Sequence, residues 1–364
     1  MTECNRRRFL QLAGSASLLS AAGGRLGWAS SQRNATGFVY IGSEDAIHMY
    51  SISAQEHLLK RQTISSARPV AMAIHNGRLY AANSIAQHGN LPRGTVEAYT
   101  IDAATGELEL LDRVPLSLSG VDPRDLAIAP DGRSLVVAIH GGGAYNVLSI
   151  DEDGHLKVTG ILKEIGSGPH PLQTRAHPSA IVFDREGRVL AADQGCDRLS
   201  VFAFSDGEMK VKSRYEVSPG AGPSSIVLHP DGQRVFVAHA FDGSVSSFAY
   251  GATAILDCRQ TIRASDAGSV ATLALHPSGE MLYSSHGAGL RSWKIAADGS
   301  LKLLPGIECL RASTLHITPD GMSLLALTSD AVFRIRIDAL THLPATPVKV
   351  ASLSNPISIA TGDC

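Results

Sequence analysis

Short apolar runs alternate with turns from residue 38 almost to the end of the chain, and one glycine-centred turn recurs six times. The glycines of this turn step along the chain by 55, 55, 45, 47 and 42 residues and are Gly77, Gly132, Gly187, Gly232, Gly279 and Gly321. A period near 45 residues with this content is typical of a β-propeller rather than a helical solenoid.

Each of these turns lies between two apolar runs. Residues 126–128 precede the turn at Asp131-Gly132, residues 135–138 follow it, and an alternating segment at 146–150 comes next. Two β-rich runs that flank Asp-Gly predict a hairpin, so each repeat supplies the successive strands of one blade. No long segment keeps an apolar period of 3.6 residues, and helices should be nearly absent.

Six complete repeats are visible, and a seventh is divided between the chain ends. Residues 38–62 lack an innermost strand, whereas residues 355–359 repeat the pattern that begins a blade at residues 222–226. We therefore predict an all-β fold, a seven-bladed β-propeller of four-stranded antiparallel blades, closed by pairing of the N- and C-terminal strands. Residues 30–364 form this single domain.

The first 29 residues resemble a twin-arginine (Tat) signal peptide. Arg6, Arg7 and Arg8 precede Phe9 and Leu10, and the apolar stretch that follows is much shorter than the roughly 20 residues of a membrane span. Cleavage near Ala29 would leave no membrane anchor. We expect a protein that is exported folded and is periplasmic or secreted.

Composition and charge exclude several classes of protein. With 44% hydrophobic and 18% charged residues the chain is too apolar for disorder. Without residues 1–29 it keeps 32 − 4 = 28 basic and 34 − 1 = 33 acidic side chains, a net charge of −5. An acidic chain without a basic block is not expected to bind nucleic acid or an anionic membrane.

The cysteines left after cleavage show no C-x-x-C pair and are far apart: Cys196, Cys258, Cys309 and Cys364. This spacing excludes a zinc ribbon or a thioredoxin-type motif. Free buried thiols are the favoured interpretation, although two of them could pair in an oxidising compartment.

Several motifs resemble those of the bacterial lactonase propellers, over residues 38–361. The most specific are Asp122-Pro123-Arg124-Asp125, Gly166-Ser167-Gly168-Pro169-His170-Pro171 and Ala192-Asp193-Gln194-Gly195-Cys196-Asp197-Arg198. That family includes 6-phosphogluconolactonases and muconate lactonising enzymes. The resemblance implies an enzyme that acts on a ring ester without a metal.

The chain departs from this family where its active site is expected. The family's Gly-Pro-Arg-His is Gly222-Pro223-Ser224-Ser225 here, its Asn-Glu-Leu is His239-Ala240-Phe241, and its Asn-Arg is His286-Gly287. Its His-Pro-His keeps His177 but ends in Ser179. Three charged positions that the resemblance would make catalytic are therefore absent.

The hairpin geometry predicts a site that does not depend on the family. First strands begin, and second strands end, at the same edge of each blade, so these positions should surround one mouth of the channel. We predict as catalytic His239 or His286 as the base, Asp193 or Asp125 as its orienting partner, Arg124 for the oxyanion, and His177. The predicted substrate-binding residues are His140, Asn83, Ser179, Ser224, Ser225 and Thr328.

Other interpretations of these residues remain open at this point. His239 and His286 could simply cap strands, and His140, His239, His286 and Asp193 are suitable zinc ligands, although their spacing does not require a metal. We predict no metal and no cofactor. Five other histidines, His48, His57, His75, His88 and His155, are expected to be solvated.

Two functions follow from the sequence. The leading prediction is a monomeric periplasmic enzyme that hydrolyses a small sugar-type lactone, as 6-phosphogluconolactonase-like proteins do. The alternative is a noncatalytic propeller that binds a small ligand or a protein partner at the channel mouth, because the family's charged positions are substituted.

Overall fold

The computed structural model describes residues 37–362 except 54–56, 119, 264–268 and 309. The predicted signal peptide, Cys309 and Cys364 lie outside the described residues. Those described form 28 strands and no helix, and so no helix that could cross a membrane.

The strands form seven antiparallel sheets of four, as predicted. Blade 1 contains β1 (Phe38–Gly42), β2 (Ala46–Ile52) and β3 (Leu58–Ser65). Blade 2 contains β4 (Pro69–His75), β5 (Arg78–Asn83), β6 (Thr95–Ile101) and β7 (Leu108–Pro115). Blade 3 contains β8 (Pro123–Ile128), β9 (Ser134–Ile139), β10 (Ala144–Ile150) and β11 (Leu156–Lys163). Blade 4 contains β12 (Pro178–Phe183), β13 (Val189–Asp193), β14 (Arg198–Ser205) and β15 (Glu208–Glu216). Blade 5 contains β16 (Pro223–Leu228), β17 (Arg234–His239), β18 (Ser244–Ala249) and β19 (Asp257–Arg263). Blade 6 contains β20 (Val270–Leu275), β21 (Met281–His286), β22 (Gly289–Ile295) and β23 (Leu301–Glu308). Blade 7 contains β24 (Thr314–Ile317), β25 (Ser323–Leu327), β26 (Ala331–Arg336) and β27 (Val348–Ser352).

The last strand, β28 (Ser358–Gly362), belongs to blade 1 and closes the ring. It pairs antiparallel with β1, from Phe38 opposite Gly362 to Gly42 opposite Ser358. Both chain ends thus complete one sheet, which confirms the predicted closure: β1 is paired on both sides, and β28 is the innermost strand of blade 1.

The recurrent turn joins the first two strands of a blade for a local reason. At the turn between β8 and β9, Asp131 Oδ1 accepts the N–H of Arg133 at 3.0 Å, and Gly132 adopts φ of 69°. This conformation is unfavourable for a residue with a Cβ, which explains why glycine recurs there.

The core lies between the faces of neighbouring blades. Leu126 and Leu135 of blade 3 pack against Tyr80 of blade 2, and Trp293 of blade 6 packs against Phe236 of blade 5. Second strands such as β13 and β21 are buried at every position, because each of their two faces is covered by another blade. Stability therefore depends on contacts between blades.

Several histidines are structural. The prediction that His48 is solvated is wrong, because His48 is 7% exposed and its ring nitrogens contact the Ser43 and Thr63 hydroxyls at 3.0 and 3.2 Å. His229 Nε2 is 2.9 Å from the carbonyl oxygen of Gly279, and His276 Nε2 is 3.2 Å from that of Gly321. These two residues connect one blade to the turn of the next.

Candidate active site

The channel opens into a pocket at the edge where the innermost strands begin. The pocket has a volume of about 1090 Å³. Eight of the predicted site residues line it: Arg124, Asp125, His140, Ser179, Ser224, Ser225, His286 and Thr328.

A β-bulge presents one residue of several innermost strands to this pocket. The register shifts between Pro123 and Asp125 in β8, and equivalent shifts occur at the start of β12 and β16. The bulged residues are Arg124, Ser179 and Ser224. A bulge turns a side chain out of the regular ladder, and here Arg124 is the charged residue that it directs to the channel.

Three predicted site residues are instead enclosed within or between blades. Asn83, Asp193 and His239 are 0, 2 and 1% exposed and do not line the channel pocket. Each is the last residue of its strand, whereas His140 and Gln194, which do line the pocket, directly follow β9 and β13. Because successive side chains in a strand point to opposite faces, a shift of one residue places these three away from the channel. His286 also ends its strand and is 2% exposed, but it still borders the pocket.

Two of these side chains hydrogen-bond inside the protein through one of their polar atoms, while Asn83 Oδ1 and Asp193 Oδ2 are buried without a partner among the described residues. Asn83 Nδ2 donates to Ser66 Oγ at 2.8 Å and to Glu97 Oε2 at 3.2 Å. Asp193 Oδ1 accepts the N–H groups of His177 and Gly195 at 2.7 and 2.9 Å. Burial raises the pKa of Asp193, and these two N–H donors oppose the shift.

His239 lies beside a separate cavity of about 40 Å³ that Tyr215 and Cys258 also line. Its Nε2 is 2.8 Å from Ser246 Oγ. Burial lowers the pKa of His239 to about 4, so that the ring is neutral near pH 7.

Cys258 and Cys196 are both free thiols.

His177 does not line the channel pocket but supports a residue that does. Its ring stacks on His140, with centroids 4.4 Å apart, and its Nδ1 is 2.9 Å from the carbonyl oxygen of His140. A carbonyl only accepts, so Nδ1 carries the proton in this contact.

A cluster of Asp122, His140 and Arg124 lies at the pocket wall. Asp122 Oδ2 is 3.3 Å from His140 Nδ1 and 3.2 Å from Arg124 Nε. Burial alone would raise the pKa of Asp122, but the hydrogen bond with His140 and the charge of Arg124 outweigh it and hold the pKa at about 2. The carboxylate is therefore ionised at any pH at which the protein works.

Neither Asp122 nor Gln194 is among the site residues predicted from the sequence. Asp122 has φ of 53°, an unusual conformation for a residue with a Cβ, and its other oxygen accepts from Ser84 Oγ at 3.1 Å. Gln194 Oε1 is 3.1 Å from His140 Nε2. The Asp-Pro dipeptide was the one available signal, since aspartate tolerates this turn geometry.

Asp125 connects two blades. Its Oδ2 accepts the N–H of Ile181 in β12 at 2.9 Å, and its Oδ1 accepts the N–H of Leu126. Burial raises the pKa of Asp125 to about 7, and these two donors act against it. Ser225 makes the equivalent link by accepting the N–H of Leu273 at 3.3 Å.

His286 lines the pocket and is connected to the buried Trp293 through hydrogen bonds of Ser284. Trp293 Nε1 donates to Ser284 Oγ at 2.7 Å, and this hydroxyl is 2.7 Å from His286 Nε2. Trp can only donate, which favours the arrangement in which Ser284 donates its own proton to His286 Nε2.

The predicted zinc-type ligands do not assemble into one group. No set of three or more His, Cys, Asp or Glu residues in the described part of the chain is arranged to hold a metal ion. His239 borders its own cavity, whereas His140 and His286 line the channel pocket.

Comparison with known proteins agrees with this architecture. The family model described as "Lactonase, 7-bladed beta-propeller" matches residues 35–339. A 6-phosphogluconolactonase of Pectobacterium atrosepticum is 27% identical over 74% of this chain and 80% of its own length. A 6-phosphogluconolactonase of Bacillus subtilis is 25% identical over 58% of this chain, and the match spans only 61% of that relative.

Solved structures support the same fold. A protein from Bacteroides fragilis superposes with a TM-score of 0.82 at 23% identity, over 92% of this chain and 99% of its own. The periplasmic gluconolactonase of Pseudomonas aeruginosa superposes with a TM-score of 0.80 at 20% identity, over 89% and 98%. On the family match, with the ring of seven blades, the chain belongs to the lactonase family of seven-bladed β-propellers.

Proposed function

We propose that this protein hydrolyses a small sugar-type lactone at the channel pocket. The observation that carries the proposal is the Asp122–His140 pair beside Arg124, in the pocket of a lactonase-family propeller. Relatives of this chain are named 6-phosphogluconolactonase. A base, an orienting carboxylate and a cation are the groups that ester hydrolysis requires.

His140 is the base in this proposal, in place of His239, which lies off the channel. Because Asp122 is ionised, it fixes the proton of His140 on Nδ1. Nε2 is then an acceptor, so Gln194 must turn its amide NH2 group toward it, or give way to a water or substrate hydroxyl, before Nε2 takes a proton.

The reaction follows from these positions. Water attacks the lactone carbonyl carbon as its proton passes to His140 Nε2, and the charge that develops on the carbonyl oxygen faces Arg124. The ring C–O bond then breaks, and the proton on Nε2 passes to the departing ring oxygen. The product is the open hydroxy acid, which forms a carboxylate.

We also propose that the mature protein acts as a monomer in the periplasm without a membrane anchor. The twin-arginine pattern at Arg6 to Arg8 supports export, and the similar Pseudomonas aeruginosa structure is of a periplasmic gluconolactonase. Export favours an unphosphorylated lactone as the natural substrate, since phosphorylated sugar intermediates are cytosolic.

Acid release in a pH-stat tests the proposal, with glucono-δ-lactone and 6-phosphogluconolactone as substrates. We expect hydrolysis above the spontaneous rate, a fall of about 10²-fold or more in His140→Ala, and a fall of roughly 10² to 10³ in Arg124→Gln. His155→Ala, which removes a half-exposed imidazole of the β10–β11 turn, is the matched control.

Two outcomes would overturn the assignment. If the wild-type rate equals the spontaneous rate on both lactones, hydrolysis of this substrate class is excluded. If His286→Ala abolishes hydrolysis while His140→Ala retains it, the base is His286, and the role proposed for the Asp122–His140 pair is wrong.

A further inference from the structure

Blade 5 contributes an aromatic ring to the pocket at a position where the sequence predicted no role. Phe241 follows β17, lines the pocket and is only half-buried. A large apolar side chain in a polar mouth adds no hydrogen bond to the site. What it offers a ligand is a flat apolar surface.

The backbone around Phe241 holds the ring close to the preceding loop. The N–H of Phe241 donates to the carbonyl oxygen of Ala221 at 3.0 Å, and that of Ala240 donates to Gly222 at 2.7 Å. Gly222 has φ of 68°, and a Cβ at this position would overlap the Phe241 ring. Glycine is therefore required for the ring to lie where it does.

His170 covers one face of this ring. The two rings are nearly parallel, with centroids 4.0 Å apart and an angle of 10° between their planes. His170 belongs to the loop between β11 and β12, and its N–H donates to Gln173 Oε1 at 2.9 Å. Because His170 covers one face of the Phe241 ring, a ligand can contact only the remaining surface of that ring.

A buried carboxylate holds both sides of the stacked pair. Asp197 Oδ1 accepts from Gln173 Nε2 at 2.7 Å and from the N–H of Gly222 at 2.8 Å, and its Oδ2 accepts the N–H of Gly220 at 2.7 Å. The loop that carries His170 and the loop beneath Phe241 are thus fixed by one residue. The aromatic surface is positioned before a ligand binds.

The pocket wall beside Phe241 is neutral. Its neighbours there are small residues of blades 5 and 6, namely Ser224, Ser225, Ala240, Ala271 and Thr272. Most of the charged groups, Glu44, Arg68, Asp122, Arg124 and Asp125, instead come from blades 1 to 3 and the loops before their innermost strands, and Arg311 comes from the loop between β23 and β24. Phe241 therefore lies among uncharged residues, on blades other than those that carry the Asp122–His140 pair and Arg124.

We propose that Phe241 is a specificity-determining residue on which the C–H face of a sugar-type lactone ring stacks, with His170 as its positioning residue. A ring with axial and equatorial C–H groups has an apolar face that suits an aromatic surface, and its hydroxyl and carbonyl groups then face the polar wall. This inference rests on the proposed function for its ligand class.

The test measures KM and kcat for glucono-δ-lactone, and the dissociation constant of glucono-δ-lactam, an analogue that the site would not hydrolyse. Phe241→Ala should raise KM and the dissociation constant about tenfold, with kcat changed less than threefold, and Phe241→Trp should restore both. Phe241→Leu, which keeps an apolar side chain, should weaken binding while the thermal unfolding midpoint stays near that of the wild type.

Two further variants separate stacking from general packing. His170→Ala should raise the dissociation constant several-fold without a change in kcat. Phe204→Leu is the control, since Phe204 lies on β14 against Phe183, at 5.2 Å between ring centroids, and does not line the pocket. It should leave the lactam affinity unchanged.

The outcomes distinguish this inference from the proposed hydrolysis. Unchanged lactam affinity in folded Phe241→Ala and Phe241→Leu would overturn the stacking, whatever the catalytic rate. A wild type that binds the lactam through Phe241 but hydrolyses neither lactone would support the stacking and exclude the proposed reaction. A wild type that neither binds nor hydrolyses would overturn both.

Discussion

Replacement of His239 by glutamine tests whether this imidazole is a buried structural group. His239 is 1% exposed, its Nε2 contacts Ser246 Oγ at 2.8 Å, and burial lowers its pKa to about 4. Glutamine keeps a polar group that can bond Ser246 but does not titrate. The comparison therefore isolates the effect of the proton.

The expected magnitude follows from proton linkage. In the unfolded chain the imidazole has its ordinary pKa of about 6.5, so between pH 6.5 and 4 the unfolded state binds more protons than the folded state. The wild type loses stability as the pH falls through this window. At roughly 1.4 kcal/mol per unit of pKa difference, the loss attributable to His239 is about 2 to 3 kcal/mol between pH 7.5 and 4.5.

Urea unfolding of both proteins at pH 7.5 and 4.5 measures this effect. Other groups titrate equally in the two proteins, so the difference in free energy of unfolding between them should shift by about 2 to 3 kcal/mol in favour of His239→Gln at the lower pH. His155→Gln, at a half-exposed site, is the control. A difference that stays constant with pH would refute the reasoning and indicate an imidazole that solvent reaches.

Three other substitutions test separate features. Glu97→Gln should lower the free energy of unfolding by about 2 kcal/mol in urea titrations, because the buried group loses the charge that strengthens its hydrogen bonds from Tyr99 and from the half-exposed Arg113; an unchanged midpoint would contradict this. Gly222→Ala should displace the Phe241 ring and weaken glucono-δ-lactam binding in calorimetry, whereas retained affinity would show that the ring position does not matter. Asp122→Asn should reduce lactone hydrolysis roughly 10²-fold in the pH-stat, and a full rate would remove Asp122 from the mechanism.

Much of the fold follows from local sequence because its determinants are local. The Asp-Gly turns specify hairpins through a side-chain bond and a positive φ, as at Asp131 and Gly132. Their spacing gave the number of blades, and the similarity of residues 355–359 to the start of a blade gave the closure between β28 and β1. The edge position of Arg124 was also predictable, because it begins an innermost strand.

The candidate site was only partly predictable, because a shift of one residue along a strand turns the side chain to the opposite face of the sheet. Asp193 and His239 end their strands and are buried, while Gln194 and Ala240, which follow them, line the pocket. No pattern in the sequence marks which of two adjacent residues faces the channel when a bulge shifts the register.

The strands and their grouping into blades follow from the sequence alone, since turns and alternation act between residues that are close in the chain, and the ring closure follows from the resemblance of residues 355–359 to the start of other blades. Which side chains meet across blades depends on the tertiary structure. The stack of His170 on Phe241 joins the loop before blade 4 to blade 5. Asp197 accepts hydrogen bonds from Gln173, in the loop before blade 4, and from Gly222, in the loop before blade 5. Contacts of this kind depend on the packing of whole blades, a property that no local segment encodes.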